Sequence, residues 1–118
     1  MSVGLEREWM RGAAPLAVLT LLQRRAMYGY ELVEALEQGS GGLLAMGQST
    51  VYPLLYSLEE RGLLSTRWDQ APNGRRRKYY GLTPAGERWL DAQRSQWETL
   101  VEALGRLGVS GETGPALP

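Results

Sequence analysis

The chain has 118 residues, enough for one domain, with 13 Lys plus Arg against 13 Asp plus Glu and 43% hydrophobic residues, which is enough apolar content to bury a core. It contains no cysteine and no histidine, which excludes disulfides, thiolate and imidazole metal sites, and the usual histidine base and Ser-His or Cys-His nucleophile systems. Nothing approaches the roughly 20 apolar residues of a membrane span. The opening MSVGLEREWMRG lacks an apolar signal core, so the expectation is a cytoplasmic, non-enzymatic protein with no metal, no cofactor and no membrane partner.

Residues 1–12 read as an N-terminal arm. AAPLAVLTLLQ, from Ala13 to Gln23, is apolar on nearly every side and predicts a helix buried between a core and something else. Pro15 fits its first turn, and Arg24 and Arg25 suit its C-terminal dipole. After a short break at Ala26-Met27, YGYELVEALEQ predicts a second, amphipathic helix facing inward through Leu32, Val33 and Leu36. Gly39, Gly41 and Gly42 end it. The connector holds Leu43-Leu44, a pair expected to tuck into the core.

GQSTVYPLLYSLEERG places Val51, Leu54, Leu55 and Leu58 at i, i+3, i+4 and i+7, a helical core face capped by Gly47 or Ser49 and closed by Gly62. Its outward face carries Ser49, Thr50, Tyr52, Pro53, Tyr56 and Ser57. These small polar groups and tyrosines suit contact with a groove better than solvation. LLSTRWD and RKYYGL then predict two short strands joined at Pro72-Asn73-Gly74, a turn in which Asn-Gly supplies positive-φ positions. The hairpin tip is therefore the run Arg75, Arg76, Arg77 and Lys78. Residues 61–80 carry a net charge of +5 and the remainder −5, which points to one surface built for a polyanion.

Thr83-Pro84 opens a helix of about 24 residues, roughly 36 Å long, that reaches Leu107. Leu90, Gln93, Trp97, Leu100, Leu104 and Leu107 follow a heptad spacing. The small body ahead of this helix cannot cover its length, so Leu90, Trp97, Leu100, Leu104 and Leu107 are expected to meet a second copy of the chain. Residues 109–118 read as a flexible tail.

This order predicts a mainly α (α+β) fold. It is a winged helix-turn-helix over 13–83 with a long dimerisation helix over 84–108. The third helix would enter a major groove, and the hairpin wing would lie on the neighbouring backbone of double-stranded DNA. Ser49, Thr50, Tyr52, Tyr56 and Ser57 would read the groove. Arg75, Arg76, Arg77 and Lys78 would supply affinity, helped by Arg24 or Arg25. No arginine or lysine precedes Arg61 on the third helix, so guanine reading by arginine is not offered there. A winged-helix module that binds proteins instead is the alternative, and an enzyme is a distant third. The acid pairs Glu59-Glu60 and Glu31 with Glu34 are expected on solvated helix faces.

The stretches YGYELVEAL, STVYPLLYSLEERGLL and GRRRKYYGLTPAGERWL resemble the PadR family of transcriptional regulators, with ordered matches from about Ala14 to Leu104. The single C-terminal helix is similar to that of the short subfamily. The resemblance implies a homodimer held by the first and last helices, a palindromic promoter operator and, usually, repression. It also implies that Trp97, eleven residues after Gly86, can face its dimer mate and sandwich a planar aromatic effector. Ala13, Leu16, Gln93 and Val101 would line such a slot and Trp9 would close it. Trp68 on the first wing strand also has a counterpart in such relatives.

Overall fold

The computed structural model describes residues 5–111. Its elements run α1 (Arg7–Arg24), β1 (Met27–Tyr28), α2 (Gly29–Gly39), α3 (Gln48–Glu60), β2 (Leu64–Gln70), β3 (Arg76–Leu82) and α4 (Pro84–Leu107). The strands form one antiparallel sheet in the order β1-β3-β2. One core joins every helix to the sheet: Val18, Leu19 and Leu22 of α1, Leu32 and Leu36 of α2, Val51, Leu55 and Leu58 of α3, Tyr80 of β3 and Leu90 of α4. This is a winged helix-turn-helix with a projecting C-terminal helix. Of the tail expected over 109–118, residues 112–118 lie outside the described residues, as do residues 1–4 of the arm.

Several local expectations are corrected. The first helix begins at Arg7 rather than Ala13, because residues 7–12 propagate the buried turns next to them and Met10 packs against the core. Pro15 therefore lies inside α1, where its ring nitrogen cannot donate to the Arg11 carbonyl. Met27, expected in a break, and Tyr28, expected in the second helix, form a short strand instead, paired as Met27 with Tyr80 and Tyr28 with Tyr79. Of the connector pair, Leu44 is half-buried while Leu43 is half-exposed, and Met46 fills the core position instead. Ser40 holds that connector: its Oγ donates to the Leu36 carbonyl at 2.6 Å and accepts from the Leu44 N–H at 2.8 Å.

The hairpin forms where Pro72-Asn73-Gly74 placed it, with a different turn. Only Gly74 has a positive φ, +85°, and Asn73 does not. The Gly74 N–H donates to Ala71 O at 2.9 Å and the Ala71 N–H to Arg75 O at 2.7 Å. Asn73 acts through its side chain, whose Oδ1 accepts from the Arg75 N–H at 3.0 Å. One left-handed residue is enough for a three-residue loop, whereas a two-residue loop would need two.

The start of α4 fixes how the long helix leaves the body. Thr83 caps it, accepting from the Gly86 N–H at 3.0 Å, and its Oγ1 donates to the Gly62 carbonyl at 2.7 Å. The Thr83 N–H reaches Leu63 O at 3.2 Å. Gly86 is buried so tightly on the Leu63 carbonyl that a Cβ there would overlap the oxygen. At the far end Gly108, at φ +84°, closes the helix with Gly108 N–H to Gly105 O and Val109 N–H to Leu104 O, a Schellman arrangement. The long helix leaves the molecule elongated, 67 × 35 × 21 Å.

Gly86→Ala tests this junction. Helix propensity alone would favour alanine by about 1 kcal/mol. Because the added methyl must displace backbone, the expected outcome is a net loss of about 1–3 kcal/mol, read by chemical or thermal denaturation.

Candidate nucleic-acid interface

The inner face of α3 is committed to the core through Val51, Leu55 and Leu58, which turns the opposite face outward. Ser49, Thr50, Pro53, Tyr56 and Ser57 are exposed along it. Gly47 caps the helix, and Pro53 lies inside it. Tyr52 is not a free outward residue. It is half-buried, and its ring lies over Gly29 at the start of α2, closer than any Cβ there would allow. That contact explains the glycine between Tyr28 and Tyr30: the second helix must be bare where the third lays its ring.

Beside α3 stands the wing. The register pairs Thr66 with Tyr80, Trp68 with Lys78 and Gln70 with Arg76, so these residues share one face, while Arg67, Tyr79 and Arg77 lie on the other. Between wing and helix runs a cleft of about 330 Å³, lined by Tyr28, Gly29, Tyr52, Tyr56, Trp68, Arg76, Arg77, Lys78 and Tyr80. Its walls are aromatic and its rim is cationic. The guanidinium of Arg76 sits over Trp68 at 5.3 Å and that of Arg77 over Tyr28 at 4.3 Å. The Lys78 ammonium lies 5.4 Å from both the Tyr56 and Tyr80 rings.

The four cations expected at the tip are not equivalent, and three of them, Arg76, Arg77 and Lys78, lie on β3 rather than in the turn, because the loop closes at Arg75. Arg75 and Arg76 are exposed, whereas Arg77 and Lys78 are half-buried. Lys78 also forms an ion pair with Glu59 Oε1 at 3.5 Å, and Glu59 Oε2 accepts from Thr66 Oγ1 at 3.1 Å. Glu59 is therefore no solvated acid. Nor is Glu31, which pairs with Arg25 at 2.7 Å; that leaves Arg24 as the uncommitted cation at the end of α1 among the ion pairs described.

A second cleft, of about 440 Å³, lies on the other flank of α3, between its N-terminus and the first turns of α1. Arg7, Met10, Arg11, Ala14, Met46, Gly47, Thr50 and Leu54 are among its lining residues. A first helix that starts at Ala13 leaves Arg7 and Arg11 out of the site. Their i, i+4 spacing, in step with Ala14, is the signal in the sequence that points to them.

Along α4, Trp97, Leu100, Val101 and Leu107 are exposed, as are Trp9 and Leu5 near the start of α1. Ala13, Leu16, Gln93 and Leu104 are half-buried. Leu90 departs from the expected seam. It is fully buried in the chain's own core, because the base of α4 packs on α1 and the body, where Arg94 Nη2 also donates to Gln23 Oε1 at 2.7 Å. Leu90 therefore has no surface to offer a second copy. Among the described residues, no helix is long and apolar enough to cross a membrane.

A helix with an outward polar face flanked by a basic hairpin defines the class of fold, a winged helix-turn-helix. A family model described as the Transcriptional regulator PadR-like family matches residues 18–92, and the chain belongs to that family. It is 33% identical over 100 residues to Transcriptional regulator Rv3488 of Mycobacterium tuberculosis, covering 84% of this chain and 90% of that protein. It is 30% identical over 99 residues to Transcriptional regulator YqjI of Escherichia coli, covering 84% of this chain but only 46% of YqjI. The chain thus spans just under half the length of the YqjI relatives it matches. A crystal structure of a PadR family transcriptional regulator from Eggerthella lenta superposes with a TM-score of 0.75 at 37% identity, covering 85% of each chain. A PadR-like transcription factor from Bacteroides fragilis gives 0.72 at 30%, covering 86% of this chain and 96% of that one.

The inner wall of the wing cleft carries a titration signature. Burial pushes the Tyr80 phenol up to about 12, with Tyr56, Glu59 and Tyr52 adding to the rise in that order. A group whose folded value is raised contributes stability below its ordinary value of 10.0 and loses it as the pH climbs toward about 12. Absorbance titration should find one of the six tyrosines ionising only near pH 12, and Tyr80→Phe should remove that phase.

Proposed function

We propose that the protein is a homodimeric repressor that binds a palindromic operator in promoter DNA, with α3 in the major groove and the wing tip on the flanking backbone. The observation that carries this reading is the wing cleft. Tyr52 and Tyr56 of α3 and Arg76, Arg77 and Lys78 of the wing line one aromatic-walled trough, with the exposed Arg75 next along the hairpin, so a duplex seated on the helix would lie against the wing arginines. Specificity rests on Ser49, Thr50, Tyr56 and Ser57, on thymine-methyl contacts and on duplex shape, with Tyr52 setting the angle of the helix against α2. Arg7 and Arg11 extend positive charge to the opposite shoulder of α3.

The exposed apolar stripe of α4 supports dimerisation. Trp97, Leu100, Val101 and Leu107 form a continuous face on a helix that its own body leaves uncovered, and Leu104 lies within it. A second copy would pair the two stripes and set the distance between the recognition helices. Binding is tight when that distance matches one turn of DNA, about 34–36 Å. Trp97, half-exposed on the stripe, supports an effector slot in which two symmetry-related indoles hold a planar aromatic guest, with Ala13, Leu16, Gln93 and Val101 around it and Trp9 at its side. A guest wedged there changes the helix spacing and weakens operator binding. By linkage, DNA weakens guest binding equally.

Arg75→Ala combined with Arg76→Ala should weaken binding to all duplexes and reduce the salt slope of log K by up to about 2 units, as read by fluorescence anisotropy across a salt series. A protein that ignores duplex DNA in dilute buffer would instead favour the protein-binding module. Sedimentation should report a dimer that Leu100→Glu dissociates. A planar, non-intercalating aromatic ligand should lower operator affinity in the wild type, and Trp97→Ala should abolish that response. Unchanged operator affinity at saturating ligand would remove the effector slot.

A further inference from the structure

We propose that Glu59 is a positioning residue that spends the charge of Lys78 inside the protein, so that this lysine orients the wing rather than neutralising a phosphate. The inference rests on the DNA-binding reading of the wing cleft and sharpens it. Glu59 lies in the last turn of α3, and its two oxygens go to different strands: Oε1 to Lys78 of β3 at 3.5 Å, Oε2 to Thr66 of β2 at 3.1 Å. One carboxylate thus ties the recognition helix to both strands of the hairpin, and on the strand face that looks toward the helix. The Lys78 ammonium is also held over the Tyr56 and Tyr80 rings, so three internal partners share it. Its side chain is 27% exposed and that of Glu59 33%, so neither is freely solvated.

Arg75 and Arg76 differ in kind. They are exposed, no ion pair among the described residues holds them, and Arg76 merely rests on Trp68. A carboxylate beside a surface meant for phosphates repels the ligand, and binding alone would favour its removal. The geometry explains why it stays. The Glu59 bridge fixes the angle between wing and helix, so the arginines at the tip meet the backbone at one distance from the groove. Of the four consecutive cations, then, the duplex counts Arg75 and Arg76 in full, while Lys78 is already neutralised before DNA arrives.

The test is the salt dependence of binding to a mixed-sequence duplex about two helical turns long, where each neutralised phosphate contributes about 0.9 to the slope. Arg75→Ala should flatten the wild-type slope by about 0.9, and Glu59→Gln should steepen it by about 0.9 because it releases the Lys78 charge. The double variant Glu59→Gln with Lys78→Met should return to the wild-type slope, an outcome that loss of folding cannot mimic. A double variant whose slope is flatter than the wild type's by about 0.9, or an unchanged slope in Glu59→Gln, would overturn the proposal. If the wild type fails to bind the duplex, the DNA-binding reading falls and the bridge is read in the free protein by hydrogen exchange. Each single variant should then speed exchange of the wing amides about threefold, as expected of a partly exposed ion pair, and the double variant should add little. Unchanged exchange overturns the bridge.

Discussion

The seat of α4 on the carbonyl of Leu63 sets how α3, the wing and the projecting helix are held together. A helix backbone can approach another segment this closely only where a residue has no Cβ, and Gly86 supplies that position one turn after the Thr83 cap. Thr83 reinforces it from both sides, capping α4 and donating to the Gly62 carbonyl at the end of α3. The end of α3, the root of the wing and the start of the projecting helix are thereby joined through a few backbone atoms. A shift of α4 passes to α3 through this joint as well as through the core that Leu90 shares with α1 and α3, because packed cores transmit displacement rather than absorb it.

A second principle is the division of the basic residues by partner. Arginine and lysine on a hairpin are often treated as one patch, yet here most have a neighbour of their own, and Arg75 stands exposed without one among the described residues. Arg61 lies over Trp89, Arg67 over Tyr79, Arg76 over Trp68 and Arg77 over Tyr28, while Lys78 shares two rings with Glu59. Aromatic faces attract cations without neutralising them, so they orient the wing arginines and leave their charge available. A carboxylate removes it. The difference between Trp68 and Glu59 as partners is thus a difference in what a polyanion would meet.

The apolar surface obeys the same logic of exposure by design. The base of α4 is buried on its own body through Leu90, and the helix then runs past the end of that body with its indole and leucines uncovered. A stripe of that size on an isolated subunit costs solubility, and a second helix of the same kind is its simplest cover.

Much of this was readable from one-dimensional pattern. The order of elements, the inward face of α3, the cap and end of α4 and the position of the hairpin come from periodicity, from Thr83-Pro84 and from Pro72-Asn73-Gly74, because each depends on neighbours within a few residues. Tertiary structure decided the remainder. Whether Leu90 served the core or a partner, whether Glu59 was solvated, and why Gly29 faces Tyr52 all turn on residues distant in sequence. The start of α1 at Arg7 and the pairing of Met27 with Tyr80 were hidden for the same reason. A two-residue strand leaves no periodic trace, and the helical spacing of Arg7, Arg11 and Ala14 takes on meaning only beside the cleft that those residues line.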